Sequence, residues 1–404
     1  MKDTIIYIGG FELPDKNAAA QRVLGVAKII RELGYNVVLV GVDRGTGNVE
    51  NILDTRGACD GFETWSIQYP KSTSAWLNYI TSVNQIDSLL EKEYQNRVFS
   101  MICYNYPAIG QYKIRRLAYK HKALAIADVT EWYSASGKRV AHKIIKWLDT
   151  LLRMQLVNFM MDGLITTSSY LSYVYRKKVI VELPTLYDKR KLQEKTVPSS
   201  IEMTFIPRLI YAGSPFDVKE AERDRGAVKE RLDLIIQSLY EMYTDKINFQ
   251  LDIFGLSRED YLRVYPEHRD KLDTMQNIVE FQGRVPHELI IERIAESDFS
   301  IFLRDVTRVT KAGFPSKFSE SITVGTPVIT NLMSNIKLYA VEGKNCFFVD
   351  IDNANSLNKS MKFILQLSRK DISGAKNFCK NSNMFDYRSF AIDVDNFFNR
   401  LLQK

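Results

Sequence analysis

The chain has 404 residues, 45% hydrophobic and 25% charged, enough to bury two ordinary cores; length alone predicts two or three domains, two equal ones being the simplest division. Cys59, Cys103, Cys346 and Cys379 stand far apart with no CxxC pair, so free thiols in a reducing compartment are expected, and four scattered histidines make a catalytic zinc site unexpected. The net charge of +7 is concentrated in residues 101–200, with 17 Lys and Arg against 7 Asp and Glu, which points to a polyanionic or membrane-surface partner; no nucleic-acid motif is present, and none of that class is expected as a partner.

Thr4–Ile8 reads as a strand beginning almost at once, which leaves no signal peptide. No apolar run reaches the roughly 20 residues that span a bilayer. The expected place is the cytoplasm, in solution or peripheral on the inner face of the cell membrane. Gly9 and Gly10 follow the strand, Asn17 opens a helix to about Leu33, and Val37–Val42 is the next strand. Val23, Val26, Ala27, Ile30 and Leu33 fit the helical period. Strand, glycine turn, helix and strand make the first unit of a doubly wound sheet, without the GxGxxG of a dinucleotide site.

Glu63–Ile67 is a short strand. Val98–Tyr104 is a longer one, followed by a helix over Ile109–Tyr119 and a strand over Ala123–Ala127. The first of these ends in Asn105, Tyr106 and Pro107 at a sheet's carboxyl edge, where ligands gather, and Ala123–Ala127 leads into a loop with Asp128 and Glu131 that reads as the start of a capped helix. Over 137–155, Ile144, Ile145, Leu148, Leu151 and Leu152 form one apolar stripe with Trp147 beside it. Lys138, Arg139, Lys143, Lys146 and Arg153 surround that stripe. Such a helix can lie on an anionic membrane surface, or it is a domain helix with a solvated face. Gly163–Ser168 and Val179–Glu182 are further strands, and the polar residues 189–204 read as a linker.

Phe205–Tyr211 starts a second α/β half, with Gly213 and Ser214 at the strand end and a helix opened by Lys229. Gln250–Phe254, Val279–Phe281 and Phe299–Leu303 are strands, and a helix is expected over Glu288–Ser297. Arg304 is expected to pair with Asp305. Residues 353–377 read as helical covers, and Tyr387–Leu402 as a terminal amphipathic helix. Between these lies the most informative stretch. Gly313 permits an open backbone, Pro315 suits a first helical turn, Gly325 suits the cap that ends it, and Pro327–Thr330 is a buried strand. The free N–H groups at such a helix start form an anion site, to which Lys317 adds charge. Glu320, three residues on, leaves the same helix face and can accept two hydrogen bonds from a vicinal diol such as a ribose. An exposed Lys317–Glu320 ion pair is the alternative.

Gly313-Phe314-Pro315-Ser316-Lys317-Phe318-Ser319-Glu320, with Gly325-Thr326-Pro327-Val328-Ile329 behind it, resembles the nucleotide-sugar motif of the retaining GT-B glycosyltransferases of family 4. The resemblance implies two Rossmann-like doubly wound domains facing a cleft: 1–188 for the acceptor, a linker over 189–204, 205–385 for the nucleotide sugar, and a terminal helix, 386–404, returning to the first domain. It puts the ribose on Glu320 and the diphosphate at Gly313, Phe314, Pro315, Ser316 and Lys317. The glutamate that usually touches the donor sugar falls on Ala312. Lys229 matches the lysine that clamps the diphosphate, while the partnering arginine falls on Ser214, beside Gly213. Arg223, Arg225 or Arg231 could supply that charge. The backbone at Gly283, Arg284 and Val285 would meet the base. Gly9, Gly10, Asn17 and Arg22 would approach acceptor and phosphate, and Asp128 or Glu131 would bind the acceptor hydroxyl or act as its base.

The expected activity is therefore sugar transfer from a nucleotide-diphosphate donor, UDP- or GDP-linked, to a glycan or lipid-linked acceptor, serving cell-surface polysaccharide synthesis without metal or cofactor. A nucleotide-sugar epimerase on the same architecture and a non-catalytic glycan-binding subunit are the other readings.

Overall fold

A computed structural model of the chain describes residues 3–14, 18–45, 51–132, 140–194 and 205–403. The described residues group into two compact units: 1–186 with 312–314 and 387–404, and 187–311 with 315–386.

The first unit is built on an eight-stranded sheet. Its strands are β1 Thr4–Gly9, β2 Asn36–Asp43, β3 Gly57–Cys59, β4 Phe62–Gln68, β5 Val98–Tyr104, β6 Leu124–Val129, β7 Gly163–Thr166 and β8 Val179–Glu182. They lie in the order β3-β4-β2-β1-β5-β6-β7-β8, all pairs parallel except the β3–β4 hairpin. A parallel sheet needs both faces covered, and the near-continuous apolar runs of β1 and β2 meet that need. Ile6, Ile8, Val38 and Val40 bury into one core. Ile5, Tyr7, Val37 and Leu39 bury into the other, with Phe397, Phe398 and Leu401 of the terminal helix Ala391–Leu402. The helix over Ala18–Glu32 contributes Val23, Val26, Ala27 and Ile30 to that second core. The strand expected at Glu63–Ile67 is β4, and β3 precedes it as the other arm of a hairpin.

The expected basic helix takes a different form. A helix over Val140–Leu152 runs into a π-helical turn, Arg153–Val157, and then Asn158–Met160. The turn carries Arg153 inward, where it is buried and donates from Nη1 to Asn105 O (3.0 Å), so it does not belong to a solvated basic face. Lys138 and Arg139 lie outside the described residues. Ile144, Trp147, Leu148, Leu151, Leu152 and Leu156 are all exposed. Among the described residues no helix is long and apolar enough to cross a membrane.

The second unit carries six parallel strands: β9 Arg208–Ala212, β10 Gln250–Phe254, β11 Val279–Gly283, β12 Phe299–Ile301, β13 Val328–Thr330 and β14 Cys346–Phe348. Their order is β11-β10-β9-β12-β13-β14, so the direction of winding reverses between β9 and β12. Ligands of open α/β sheets gather outside the carboxyl ends of the strands at such a reversal. Lys189–Gln193, expected in the linker, is a short helix of this unit, tied by Gln193 Nε2 to Lys380 O (2.9 Å); residues 195–204 lie outside the described residues. All four cysteines are free thiols.

Candidate active site

Several neighbouring elements bring side chains to the carboxyl edge of the second sheet. The helix over Ser316–Val324 begins after Pro315, which occupies the cap position rather than the first turn, and no side chain caps its amides. It ends at Gly325, whose φ of 101° is the left-handed conformation that closes a helix. Lys317 and Glu320 leave this helix on the same side, as their spacing predicts, but they do not pair with each other.

Glu320 is held by a histidine that sequence reasoning set aside. His287 Nε2 donates to Glu320 Oε1 (2.8 Å), and the Glu320 side chain keeps 13% exposure. His287 opens the helix His287–Glu296, directly after β11 and Pro286. Tyr187 lies against the same carboxylate: burial, and then the Glu320 charge, push its phenol well above the usual range.

Lys317 turns toward the other side of the site. Its ammonium stands 4.0 Å from the centroid of the Tyr211 ring and donates to Glu230 Oε2. Tyr211 OH donates to that same oxygen, and Arg304 takes the other through Nε (3.0 Å) and Nη2. Glu230 is thus buried with both oxygens filled. Burial alone would raise its pKa, but the Lys317 and Arg304 charges hold the carboxyl well below the usual range. Burial, opposed by the Glu230 charge, brings Lys317 down to about 8.

This cluster revises three expectations. Lys229 does not open a helix: Lys229 and Glu230 form a bend, Arg231 takes the cap position and the helix begins at Leu232, because Glu230 turns in toward Lys317 and Arg304 while Arg231 N donates to Leu303 O (2.8 Å). Lys229 is exposed, and its charge is felt at Lys317. Arg304 pairs with Glu230 and not with Asp305; Asp305 is taken by Arg231 Nη1 (3.0 Å). Arg225 is taken by Glu267 (2.6 Å) on the surface, and Arg231 also by Asp233 (2.8 Å).

Glycine makes the Lys317 path possible. Gly213 has φ of 138°, and a Cβ there would lie 2.6 Å from Lys317 Cε. Main-chain bonds stitch the three strand ends together: Gly213 N donates to Phe254 O (2.9 Å) and Gly255 N to Gly283 O (2.6 Å). Ser214 Oγ turns away to Phe216 O (3.1 Å). Arg284 is exposed and Val285 half-buried beyond Gly283.

The remaining predicted residues fall in the first unit. Arg22 is only 2% exposed. Its Nη2 and Nε donate to Asp128 (2.9 and 3.3 Å), and its Nη1 to Leu183 O (2.5 Å) and Pro184 O (2.6 Å). Tyr7 OH donates to the same carboxylate. Asp128, expected to face an acceptor, therefore has no exposed surface and no oxygen to spare, and Arg22 is not solvated. Glu131 is half-buried. Gly9 and Gly10 end β1 as expected, with Gly9 packed on Tyr104, and Asn17 lies outside the described residues. Ala312, Gly313 and Phe314 group with this unit, where the fully buried Ala312 accepts at its carbonyl from Ser168 Oγ (2.7 Å).

Residues 225–381, which include Glu230, His287, Arg304, Lys317 and Glu320, match the family model described as Glycosyl transferases group 1. No curated protein sequence matches the chain. Among solved structures, the chain is similar to sucrose-phosphate synthase from Thermosynechococcus elongatus, with TM-score 0.66 and 13% identity over 99% of both chains. The catalytic domain of starch synthase IV from Arabidopsis thaliana, bound to ADP and acarbose, is similar at TM-score 0.66 and 13% identity over 100% of both. HepE of Anabaena, in complex with UDP and glucose, reaches 0.62 at 9% identity over 98% of this chain and 99% of its own. At these identities the likeness is one of fold, and that fold is GT-B: two α/β domains, each on a parallel sheet.

Proposed function

We propose that the protein is a retaining glycosyltransferase of family 4. It moves a sugar from a UDP- or GDP-linked donor to a glycan or lipid-linked acceptor in cell-surface polysaccharide synthesis, on the cytoplasmic side of the membrane. The observation that carries this reading is the group 1 domain, with the uncapped helix start, Lys317 and Glu320 at the carboxyl edge of its sheet. Structures of the same fold hold UDP with glucose, and ADP with acarbose, which supports a nucleotide-sugar donor.

In this reading the diphosphate sits at the amides of Ser316 and Lys317, which carry the positive end of the helix dipole. Glu320, fixed by His287, accepts from the ribose hydroxyls. The bond between the anomeric carbon and the diphosphate oxygen breaks, and its electron pair leaves with the diphosphate. The acceptor oxygen then bonds the anomeric carbon and gives up its proton. Lys229 and Lys317 stabilise the charge gathering on the leaving group, which is where most of the barrier reduction arises and why neither metal nor cofactor is required. Because Asp128 is enclosed with Arg22, Glu131 is the carboxylate of that loop suited to receive the acceptor proton, and Asp128 acts by holding Arg22.

Glu320→Ala should weaken binding of the cognate nucleoside diphosphate by about 1.5–3 kcal/mol, the worth of hydrogen bonds to a charged group. Calorimetry with UDP, GDP and ADP checks this, and unchanged affinity removes the assignment. Slow release of free sugar from the donor supports transfer; an epimerised donor, or neither product, supports the epimerase or the binding subunit instead.

We also propose that the exposed stripe of Ile144, Trp147, Leu148, Leu151 and Leu152 rests on an anionic membrane surface, with Lys146 on the same helix. Vesicles containing phosphatidylglycerol should co-sediment the parent protein, and Trp147→Ser with Leu151→Ser should abolish that. Equal sedimentation of both proteins would remove this reading.

A further inference from the structure

The resemblance leaves Ser214 where an arginine is expected, and the three arginines near it in sequence do not replace it: Arg225 and Arg231 are occupied by carboxylates, and Arg223 is exposed on the surface. Another guanidinium stands at the reversal point itself. Arg304 follows β12, on the far side of that point from β9, and is 8% exposed. Its main chain is clamped on both edges by Asn331, whose Oδ1 accepts from Arg304 N (3.0 Å) and whose Nδ2 donates to Arg304 O (2.8 Å). Its side chain is clamped by Glu230 through Nε and Nη2. Glu230 is in turn pinned by Tyr211 OH, which has no exposed surface.

This arrangement leaves specific donors unused. The Nη1 group of Arg304 makes no bond to Glu230, and Lys317 gives Glu230 only one of its three protons. Two cations share one buried anion, so the cluster keeps a net positive charge, with Lys229 adding to the field at Lys317. A site of fixed, partly desolvated cations at the carboxyl ends of β9 and β12 is made to receive an anion. Glu230 lies beneath the two cations, buried with both oxygens filled, so a ligand meets the cations and leaves the carboxylate in place.

We propose that Arg304 is the guanidinium that binds the leaving diphosphate in this chain, and that Glu230 is the positioning residue that fixes it beside Lys317. The inference rests on the donor-site reading above and adds a residue to it. Glu230 also keeps Lys317 protonated. The groups facing Lys317 are Glu230, Arg304, Lys229 and the Tyr211 ring, and of these only Glu230 favours the charged ammonium through an opposite charge.

Calorimetry of the full-length protein with inorganic pyrophosphate and with UDP tests this. Arg304→Gln should weaken both by roughly 10- to 100-fold, the range of lost charged hydrogen bonds. Arg304→Lys should lose less, and Arg225→Gln should lose nothing. Should Arg304→Gln not fold, the double variant Glu230→Gln with Arg304→Gln, which leaves no unpaired carboxylate in the cluster, carries the same comparison. The Glu230 role is read from pH. Pyrophosphate affinity of the parent should decline as pH rises through about 8, where Lys317 loses its proton. In Glu230→Gln the decline should set in at lower pH, and Glu230→Asp should restore much of the difference. Parent-like affinity in Arg304→Gln, or superimposable pH profiles for Glu230→Gln and the parent, overturns the proposal. A parent protein that binds neither probe removes the donor-site reading itself.

Discussion

Asp128→Ala should lower the stability of the first unit by about 3–5 kcal/mol, the usual cost of breaking a buried ion pair from one side. Removing this carboxylate leaves the Arg22 guanidinium buried without a counterion, and a guanidinium cannot escape by losing its proton. The bonds from Arg22 to Leu183 O and Pro184 O remain, but carbonyls offset only part of a full charge. Arg22→Met is the instructive partner. It breaks the pair from the other side, leaving the buried Asp128 carboxylate with Tyr7 OH alone, and should also cost about 3–5 kcal/mol. All four tryptophans, Trp65, Trp76, Trp132 and Trp147, lie in the first unit, so the denaturant midpoint of tryptophan fluorescence follows that unit alone. Glu91→Ala, which breaks an exposed pair with Lys120 in the same unit, is the control and should leave the midpoint close to that of the parent. Equal midpoints for Asp128→Ala and Glu91→Ala would show that the buried pair has no special weight.

Gly255→Ala should destabilise the second unit by about 2–5 kcal/mol, from left-handed strain together with overpacking. The φ of 97° already disfavours a side chain, and the new Cβ would stand 2.6 Å from Gly213 O and 2.7 Å from Gly213 C. Those are main-chain atoms that cannot rotate away, so Gly213 must shift. A shift of Gly213 disturbs Lys317, whose Cε lies at contact distance over it. Nucleoside diphosphate affinity should fall together with stability. Gly283→Ala separates strain from crowding: its φ is also positive, at 67°, but its Cβ would meet no atom within 4 Å. Circular dichroism resolves the transition that tryptophan fluorescence does not follow, and similar shifts for the two variants would refute the crowding argument.

The legible part of the site was the part with local causes. Pro315 and Gly325 bracket the helix because one suits its entry and the other its left-handed exit, and Lys317 and Glu320 share a face because they are three residues apart. The Lys229 helix start was misplaced because a residue drawn into a distant ion pair leaves the helical path, and nothing near position 230 announces that pair. The same holds for Arg304: beside Asp305 in sequence it reads as half of a local pair, yet its partner lies 74 residues away. Arg22 and Asp128 are 106 residues apart, and His287 and Glu320 are 33 apart.

The sequence by itself determined the alternation of strands and helices, the two doubly wound halves, and the helix that Pro315 opens, since these follow from apolar period, backbone freedom and caps within a few residues. Only the tertiary structure decided which charges meet. Sheet order places β9 beside β12 and β1 beside β5, and burial then obliges every charge brought to those strand ends to find a partner across the sheet, wherever it lies in the chain.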